Sequence, residues 1–351
     1  MASLVSPTAP RLPRQRGPVS QWLVQRLGWS EAASATPQPS DEVVRGSGIL
    51  SDDDRLMALW VAQGLSYHGF AGVDARCEVD PDVVALRLAL EDALESDLSR
   101  VVAPVVARHL TSATDDLVRT LFDLPRAEFT EAPSIASFAR REMSHQQWRE
   151  MLILKSAYQL KEGDPHTFAI PRLPDEAKLP LLEIQFDEYG NGRLNDQHSR
   201  IFAEAMRSVE LSDRYGDYCD AWPCEVLAAN TALGWWASRR EWVGAVAGHL
   251  AFIETTSSLP CQEYVAGARR LKLPAQAHRY FGEHVEADAA HEQIAIRQMC
   301  TAVAAADPAG TEKVLYGFLS GLYLEGRVAQ AAVGAWRDSR SALLQPAVGA
   351  A

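Results

Sequence analysis

Residues 283–295 read EHVEADAAHEQIA and carry the most informative spacing in the chain. His284 is followed by Asp288 and His291 at the fourth and seventh positions after it. At about 100° of rotation per residue, a helix would hold these three side chains within an arc of about 60°. Apolar residues such as Ile294 lie beside this arc, so we expect it to border the core rather than to be a solvated polar face. Two imidazoles and a carboxylate that converge in this way suit iron, manganese or zinc.

A second group of polar residues lies upstream, in EIQFDEYGNGRLNDQH, residues 183–198. We expect Glu188 to end one helix, two glycines to break the chain, and Asn195 or Asp196 to cap the next helix. His198 then falls in the first turn of that helix, close to Glu188. The alternative is that Glu188 caps a helix and His198 packs in the core.

Two further glutamates complete the set. Glu162 closes the predicted helix QWREMLILKSAYQLKE, and Glu254 lies within the apolar segment AGHLAFIETTSS. An ionised Glu in apolar surroundings needs a cation or a hydrogen-bond partner. For Glu254 this partner would be a metal ion, and the alternative is a pairing with Arg239, Arg240 or another basic residue. Together these segments supply four carboxylates and three histidines, enough for a two-metal site.

Other polar residues near these segments are expected to have structural roles. Glu183 and Asp187 flank Glu188 and are interpreted as solvated or capping acids. His249 is interpreted as a core histidine, with a position behind a metal ligand as the alternative. His166 is expected to order the segment that carries Glu162.

The rest of the chain predicts an all-α protein. Helical periodicity dominates from residue 52 onward, with one helix beginning at Pro81, and strand-like alternation is nearly absent. Pro104 should kink or end that helix. We expect a helix over 134–162 and a loop over 166–180.

The sequence predicts a division of the chain into three parts. Residues 1–45 are rich in Pro, Ser, Ala and Gln and are expected to be a mostly disordered tail, in which the apolar stretch Trp22 to Leu27 is expected to form one or two turns of helix. Residues 46–135 are expected to form an accessory helical region. Residues 136–340 are expected to form the helical bundle that holds the functional site.

Composition excludes several classes of partner. The net charge of −12 argues against a nucleic-acid surface, and no apolar run is long enough to span a membrane. The five cysteines are scattered and the N-terminus shows no hydrophobic signal segment, so we expect reduced thiols and a cytoplasmic protein. The chain has no glycine-rich dinucleotide loop, so electrons for a redox reaction would come from an external donor.

The blocks KEGDPHTFAIPRL, LLEIQFDEYGNG, GHLAFIETTSS and EHVEADAAHEQIA resemble the haem-oxygenase-like diiron oxidases, also called iron-containing redox enzymes. The resemblance covers roughly residues 140 to 300. It implies that residues 136–340 form a haem-oxygenase-like helical bundle. This bundle would hold two Fe²⁺ ions in place of haem and use O₂ as cosubstrate. The ligands that the resemblance implies are Glu162, Glu188, His198, Glu254, His284, Asp288 and His291.

The resemblance also implies how these ligands are divided. Glu188 would bridge the two irons. One iron would be held by His198, Glu254 and His291, and the other by Glu162, His284 and Asp288. Glu188 and His198 are expected to act in catalysis as well.

We therefore predict an O₂-dependent oxidoreductase that acts on a small organic metabolite. N-oxygenation of an amine or amino-acid derivative in a biosynthetic pathway is the favoured reaction. The alternative is a haem-binding or non-catalytic binding protein on the same bundle. A small-molecule substrate and an external electron donor are the expected partners, and a homodimer is left open.

Overall fold

The computed structural model describes residues 9–28 and 38–344, and helices account for most of them. Within these ranges the chain forms no strand. The prediction of an all-α helical bundle is confirmed.

Five helices precede residue 135. They are α1 Pro18–Leu27, α2 Asp41–Arg45, α3 Asp53–Gly64, α4 Pro81–Asp115 and α5 Leu117–Ala127. Helix α4 continues through Pro104 instead of ending there. Its first turn is capped by Asp80, whose carboxylate accepts from the backbone N–H groups of Asp82 and Val83.

Ten further helices follow, and four of them carry six of the seven metal-ligand candidates. They are α6 Ile135–Arg141, α7 His145–Gln159, α8 Asp164–Thr167, α9 Asp175–Glu188, α10 His198–Ser208, α11 Cys224–Ser238, α12 Val243–Arg270, α13 Gln276–Ile294, α14 Thr301–Ala306 and α15 Gly310–Arg337. A π-helical segment, Ala295–Cys300, joins α13 to α14. Short 3₁₀ turns occur at Ile49–Ser51, Ala75–Val79, Ile170–Arg172, Gly190–Gly192, Leu194–Asp196, Cys219–Ala221 and Arg240–Trp242.

Helices α12 and α15 pack against each other with their backbones in contact. A Cβ atom on Gly248 would lie 2.0 Å from the carbonyl oxygen of Val314, and one on Gly317 would lie 2.0 Å from that of Ala245. Only glycine leaves room for such an approach. Helix α12 also packs against α13, so the helix that carries Glu254 contacts the helix that carries three other candidates.

Several boundaries differ from the sequence prediction. The predicted helix over 134–162 is divided into α6 and α7, because Ser144 and Gln147 form a reciprocal capping box that starts α7. Helix α9 begins at Asp175, inside the predicted loop 166–180, with Pro180 within the helix. Acidic residues in the first turn of α9 favour its start there.

The structure also differs from the predicted N-terminal tail. Residues 9–28 and 38–45 are described, whereas the rest of that tail, 1–8 and 29–37, lies outside the described residues. Helix α1 packs against α3, and its apolar residues Trp22 and Leu23 are buried. Asp54 of α3 accepts from two backbone N–H groups near the start of α1 at 2.8 Å. The division of the remaining chain at residue 135 stays a prediction.

Candidate metal centre

A tight reversal between α9 and α10 brings Glu188 and His198 together. Gly190 has a φ of 71°, and a Cβ on it would lie 2.5 Å from the backbone nitrogen of Gln197. Nδ1 of His198 consequently lies 3.0 Å from Oε2 of Glu188. This proximity was predicted, but the N-cap of α10 is Gln197, because the predicted capping residues lie in the 3₁₀ turn before it.

Glu162 was predicted to close a helix, but α7 ends at Gln159 and Glu162 lies in the turn after it. The hydroxyl of Tyr280 lies 2.6 and 2.7 Å from the two carboxylate oxygens of Glu162 and donates to this carboxylate. His284 approaches the same group, with its Nε2 atom 3.8 Å from Oε2 of Glu162.

His284 is arranged as a neutral metal ligand would be. Its Nδ1 atom lies 2.7 Å from the carbonyl oxygen of Tyr280, and a proton on Nδ1 donates to that oxygen. This tautomer leaves Nε2 as an acceptor that faces Glu162. Burial, with the nearby His198, lowers the pKa of His284 to about 4.

Glu254 and His291 form a second pair, across α12 and α13. Nδ1 of His291 lies 3.4 Å from Oε2 of Glu254, and its Nε2 lies 3.2 Å from Oδ2 of Asp187. Asp187 was interpreted from the sequence as a solvated or capping acid, so its contact with His291 is a correction. Arg239, the proposed alternative partner of Glu254, instead lies 2.7 Å from Glu91.

The donor atoms fall into two sets, each within 4.8 Å. The first set contains Glu162, Glu188, His198 and His284, and the second contains Glu188, Glu254 and His291. Glu188 belongs to both, which is the position that a bridging carboxylate requires. His198 lies with Glu162 and His284, whereas the resemblance assigned it to the set of Glu254 and His291.

Asp288 completes the cluster from α13. It is 1% exposed and lines a void of about 10 Å³ together with Glu162, Glu188, Glu254 and His284. All seven side chains predicted as ligands are buried, and the two donor sets meet at Glu188.

The buried cluster fits divalent metal ions. Among the described residues, none of its four carboxylates pairs with a lysine or arginine, and the ring nitrogens of histidines lie near three of them instead. Burial, followed by the neighbouring Glu254 and Glu188, raises the pKa of Asp288 to about 10. Oδ2 of Asp288 and Nε2 of His284 are buried without a hydrogen-bond partner. Bound cations would supply both the missing charge and the missing partners.

A hydrogen-bonded network supports the turn that carries Glu162. His166 lies 3.4 Å from the hydroxyl of Tyr158 and 3.2 Å from Nδ1 of His249. Gln185 of α9 donates to the carbonyl oxygen of Gly163 at 2.5 Å. His249 thus contacts another histidine in the core, as expected of a core histidine. His166 lies against the segment that carries Glu162, which it was expected to order.

A cavity of about 340 Å³ reaches the cluster at Glu162, Tyr280 and His284. Most of its wall is apolar and comes from α7, α11, α12 and α15, with residues such as Phe252. Lys155 also lines the cavity. A small molecule in this cavity would lie beside the cluster.

Comparison with known proteins agrees with this geometry. The profile of the family described as "iron-containing redox enzyme" matches residues 149–326, just over half of the 351 residues. The chain belongs to this family. Iron-containing redox enzymes are oxidoreductases, and all seven candidate ligands lie within the matched range. No curated protein matches the chain.

Across residues 9–28 and 38–344, no helix is both long and apolar enough to cross a lipid bilayer.

Proposed function

We propose that this iron-containing redox enzyme is a non-haem diiron oxygenase that activates O₂ and oxidises a small organic metabolite. The observation that carries the proposal is the pair of donor sets that share Glu188. Seven buried ligand side chains are more than one ion needs, and a shared carboxylate is the natural link between two ions.

The chain's own residues divide between two ion positions. Glu162, His198 and His284 would hold one ion, and Glu254 and His291 would hold the other, with Glu188 between them. Asp288 is close enough to the same void to complete either position. Bound iron would supply the electrons that begin the reduction of O₂.

The remaining groups position these ligands. Tyr280 contacts the centre twice, because its hydroxyl holds Glu162 and its carbonyl oxygen orients His284. Asp187 fixes the ring of His291 from the side opposite Glu254. Outer partners of this kind set the orientation and basicity of metal ligands.

The adjoining cavity supports an amine or amino-acid derivative as the substrate. Lys155 and Glu325 both line this cavity, so its lining carries a cation and an anion among apolar side chains. Nζ of Lys155 lies 5.3 Å from the ring centroid of Tyr264. A carboxylate could bind Lys155 while an ammonium group binds Glu325, and the apolar wall would exclude water from the oxidised position.

We propose N-oxygenation of such a molecule, within a biosynthetic pathway of the cytoplasm and with an external electron donor. A haem protein would need one proximal imidazole and a broad apolar slot. It would leave four buried carboxylates without a role, so the diiron function is preferred.

The test is to load the protein with iron(II), to supply candidate amines and amino acids in air, and to identify products by mass. We expect an oxygenated product and no intense haem absorption band. Glu188→Ala should abolish the product, whereas Glu183→Ala, at an exposed position of the same helix, should not. An intense haem band in the purified protein, or equal activity of both variants, would refute the proposal.

A further inference from the structure

A second cavity, of about 300 Å³, lies apart from the cavity at the metal cluster. Its wall combines the end of α3 and the segment after it with α4, α11 and the turns around α8. Asn230 of α11 lines both cavities and marks the boundary between them. The proposed oxidation does not use this second cavity.

The charge of its wall is opposite to that of the whole protein. Arg87, Lys161 and Arg172 line it, and none of the described lining residues is an aspartate or glutamate. The chain as a whole has a net charge of −12. Three cations without an acid make a local positive potential in a partly enclosed space, which favours anions.

The acids nearest to these cations are already engaged. Glu91 lies 4.0 Å from Nε of Arg87, but Arg239 approaches the same carboxylate at 2.7 Å. Nε of Arg87 is buried without a hydrogen-bond partner. The charge of Arg87 is therefore only partly compensated by the protein.

Lys161 and Asp164 show the same pattern. Asp164 accepts hydrogen bonds from the hydroxyls of Tyr67 and Tyr189. Nζ of Lys161 lies over the rings of Tyr67 and Tyr215, 5.6 and 5.5 Å from their centroids. An ammonium group held by two aromatic faces remains free to bind an anion.

Arg172 is held by the backbone rather than by an acid. Its guanidinium donates to the carbonyl oxygen of Ala237. That bond uses one of five N–H donors, so the others remain for a ligand with oxygen acceptors.

The rest of the wall is aromatic. Trp60, Tyr67, His68, Phe168 and Tyr215 all line the cavity, and several of them pack edge to face, as Tyr67 does against Phe168 at 6.3 Å between centroids. Flat side chains arranged in this way leave surfaces on which a ring can stack.

We propose that this second cavity binds a small organic anion, a carboxylate or a phosphate monoester, that carries an aromatic ring. The anionic group would contact Arg87, Lys161 and Arg172, and the ring would pack against the aromatic wall. The site is separate from the oxidation site and does not depend on the proposed diiron chemistry.

The test is titration calorimetry on the full chain with phenyl phosphate, benzoate, inorganic phosphate and benzyl alcohol. Phenyl phosphate or benzoate should bind, and the tighter of the two identifies the anionic group. Benzyl alcohol should bind at least about tenfold more weakly, because it lacks charge-assisted hydrogen bonds. Inorganic phosphate should also bind more weakly, because it lacks the ring. Equal affinity for either control compound would overturn the corresponding half of the proposal.

Variants locate the binding in this cavity. Arg172→Gln and Arg87→Gln should each weaken binding about tenfold, and Arg172→Lys should restore part of it. Arg119→Gln, which is 81% exposed on α5, should bind like the wild type, and Lys155→Gln shows whether any of the binding belongs to the other cavity. Helical circular dichroism identifies folded variants. If folded Arg87→Gln binds as the wild type does, or if only Lys155→Gln loses binding, the site is not here.

Discussion

The hydroxyl of Tyr280 lies within 2.7 Å of both carboxylate oxygens of Glu162, although 118 residues separate the two in the chain. The same tyrosine accepts from the ring of His284 through its carbonyl oxygen. One residue of α13 thus fixes two candidate ligands, one on its own helix and one in the turn after α7.

Tyr280→Phe should weaken iron(II) binding by about tenfold while leaving the fold intact. The carboxylate of Glu162 loses its donor and its fixed orientation, but the ring of Tyr280 still fills its place. Metal-competition titration measures the change. Tyr323→Phe, on a half-buried ring that contacts Phe129, is the control and should bind iron normally. Equal affinities in the two variants would contradict this role.

Replacing His284, Asp288 or His291 by alanine should abolish oxidation and leave the helical circular dichroism largely unchanged. Each change removes a ligand, but it also relieves the crowding of buried polar groups, so the metal-free fold should survive. Glu283→Ala, at an exposed position of the same helix, should keep activity. Near-normal turnover in all three ligand variants would show that α13 is not the metal helix.

Anaerobic loading should reach about two iron(II) ions per chain, the number expected of a two-metal centre. The reason is the shared position of Glu188 between two donor sets. Metal analysis after removal of free iron gives the count. Saturation at one ion per chain with full activity would contradict it.

Without a reductant, the iron(II)-loaded protein mixed with substrate and O₂ should give at most about one product per two-iron site. Complete reduction of O₂ takes four electrons, of which two iron(II) ions supply two and a two-electron oxidation of substrate supplies two. Product quantified against iron tests this, and an added ferredoxin-type donor should restore turnover. Many turnovers with a two-electron product and no donor would be inconsistent with this accounting. A four-electron oxidation of the substrate is the exception, since it regenerates the iron(II) state unaided.

The metal-free protein should lose stability as the pH falls below 6.5, in part through His249. Burial lowers the pKa of His249 from 6.5 to about 4. Between these values the unfolded chain takes up a proton that the folded chain does not, so this contribution is complete above pH 6.5 and is lost as the pH falls. His249→Phe should reduce the loss between pH 7 and pH 5 by about 2 kcal/mol. Denaturant unfolding at the two pH values measures it, and His278→Phe, outside the His166–His249 pair, should behave like the wild type. An unchanged pH dependence in His249→Phe would show that His249 is not responsible.

Part of the centre could be predicted from the sequence because it depends on local geometry. The side chains of His284, Asp288 and His291 share one face by helical rotation alone, and Glu188 and His198 meet across a short glycine-containing turn. Helical periodicity likewise predicted the all-α fold. The apolar surroundings of Glu254 predicted a need for a partner but did not identify it.

The rest depends on how distant helices pack. Asp187 reaches His291 only because α9 lies against α13, and no local pattern distinguishes it from a solvated acid. The resemblance placed His198 with Glu254 and His291, whereas its ring lies near Glu162 and His284, because α10 packs against α13. At the N-terminus the sequence predicted one or two turns of helix over Trp22 to Leu27, whereas α1 already begins at Pro18, because its few apolar residues pack against α3.

The glycine contacts between α12 and α15 divide α15 into two parts. One part cannot be substituted without moving α12, and the other can be substituted on its own. Gly248 and Gly317 set the distance between the two helix axes, and Glu254 lies on α12 within two turns of Gly248. Side chains further along α15, such as Leu322 and Val328, line the 340 Å³ cavity without entering those contacts. Substitutions there would reshape the cavity while the carboxylate of Glu254 keeps its place. The fold can therefore change the shape of this cavity without moving the residues proposed to hold iron.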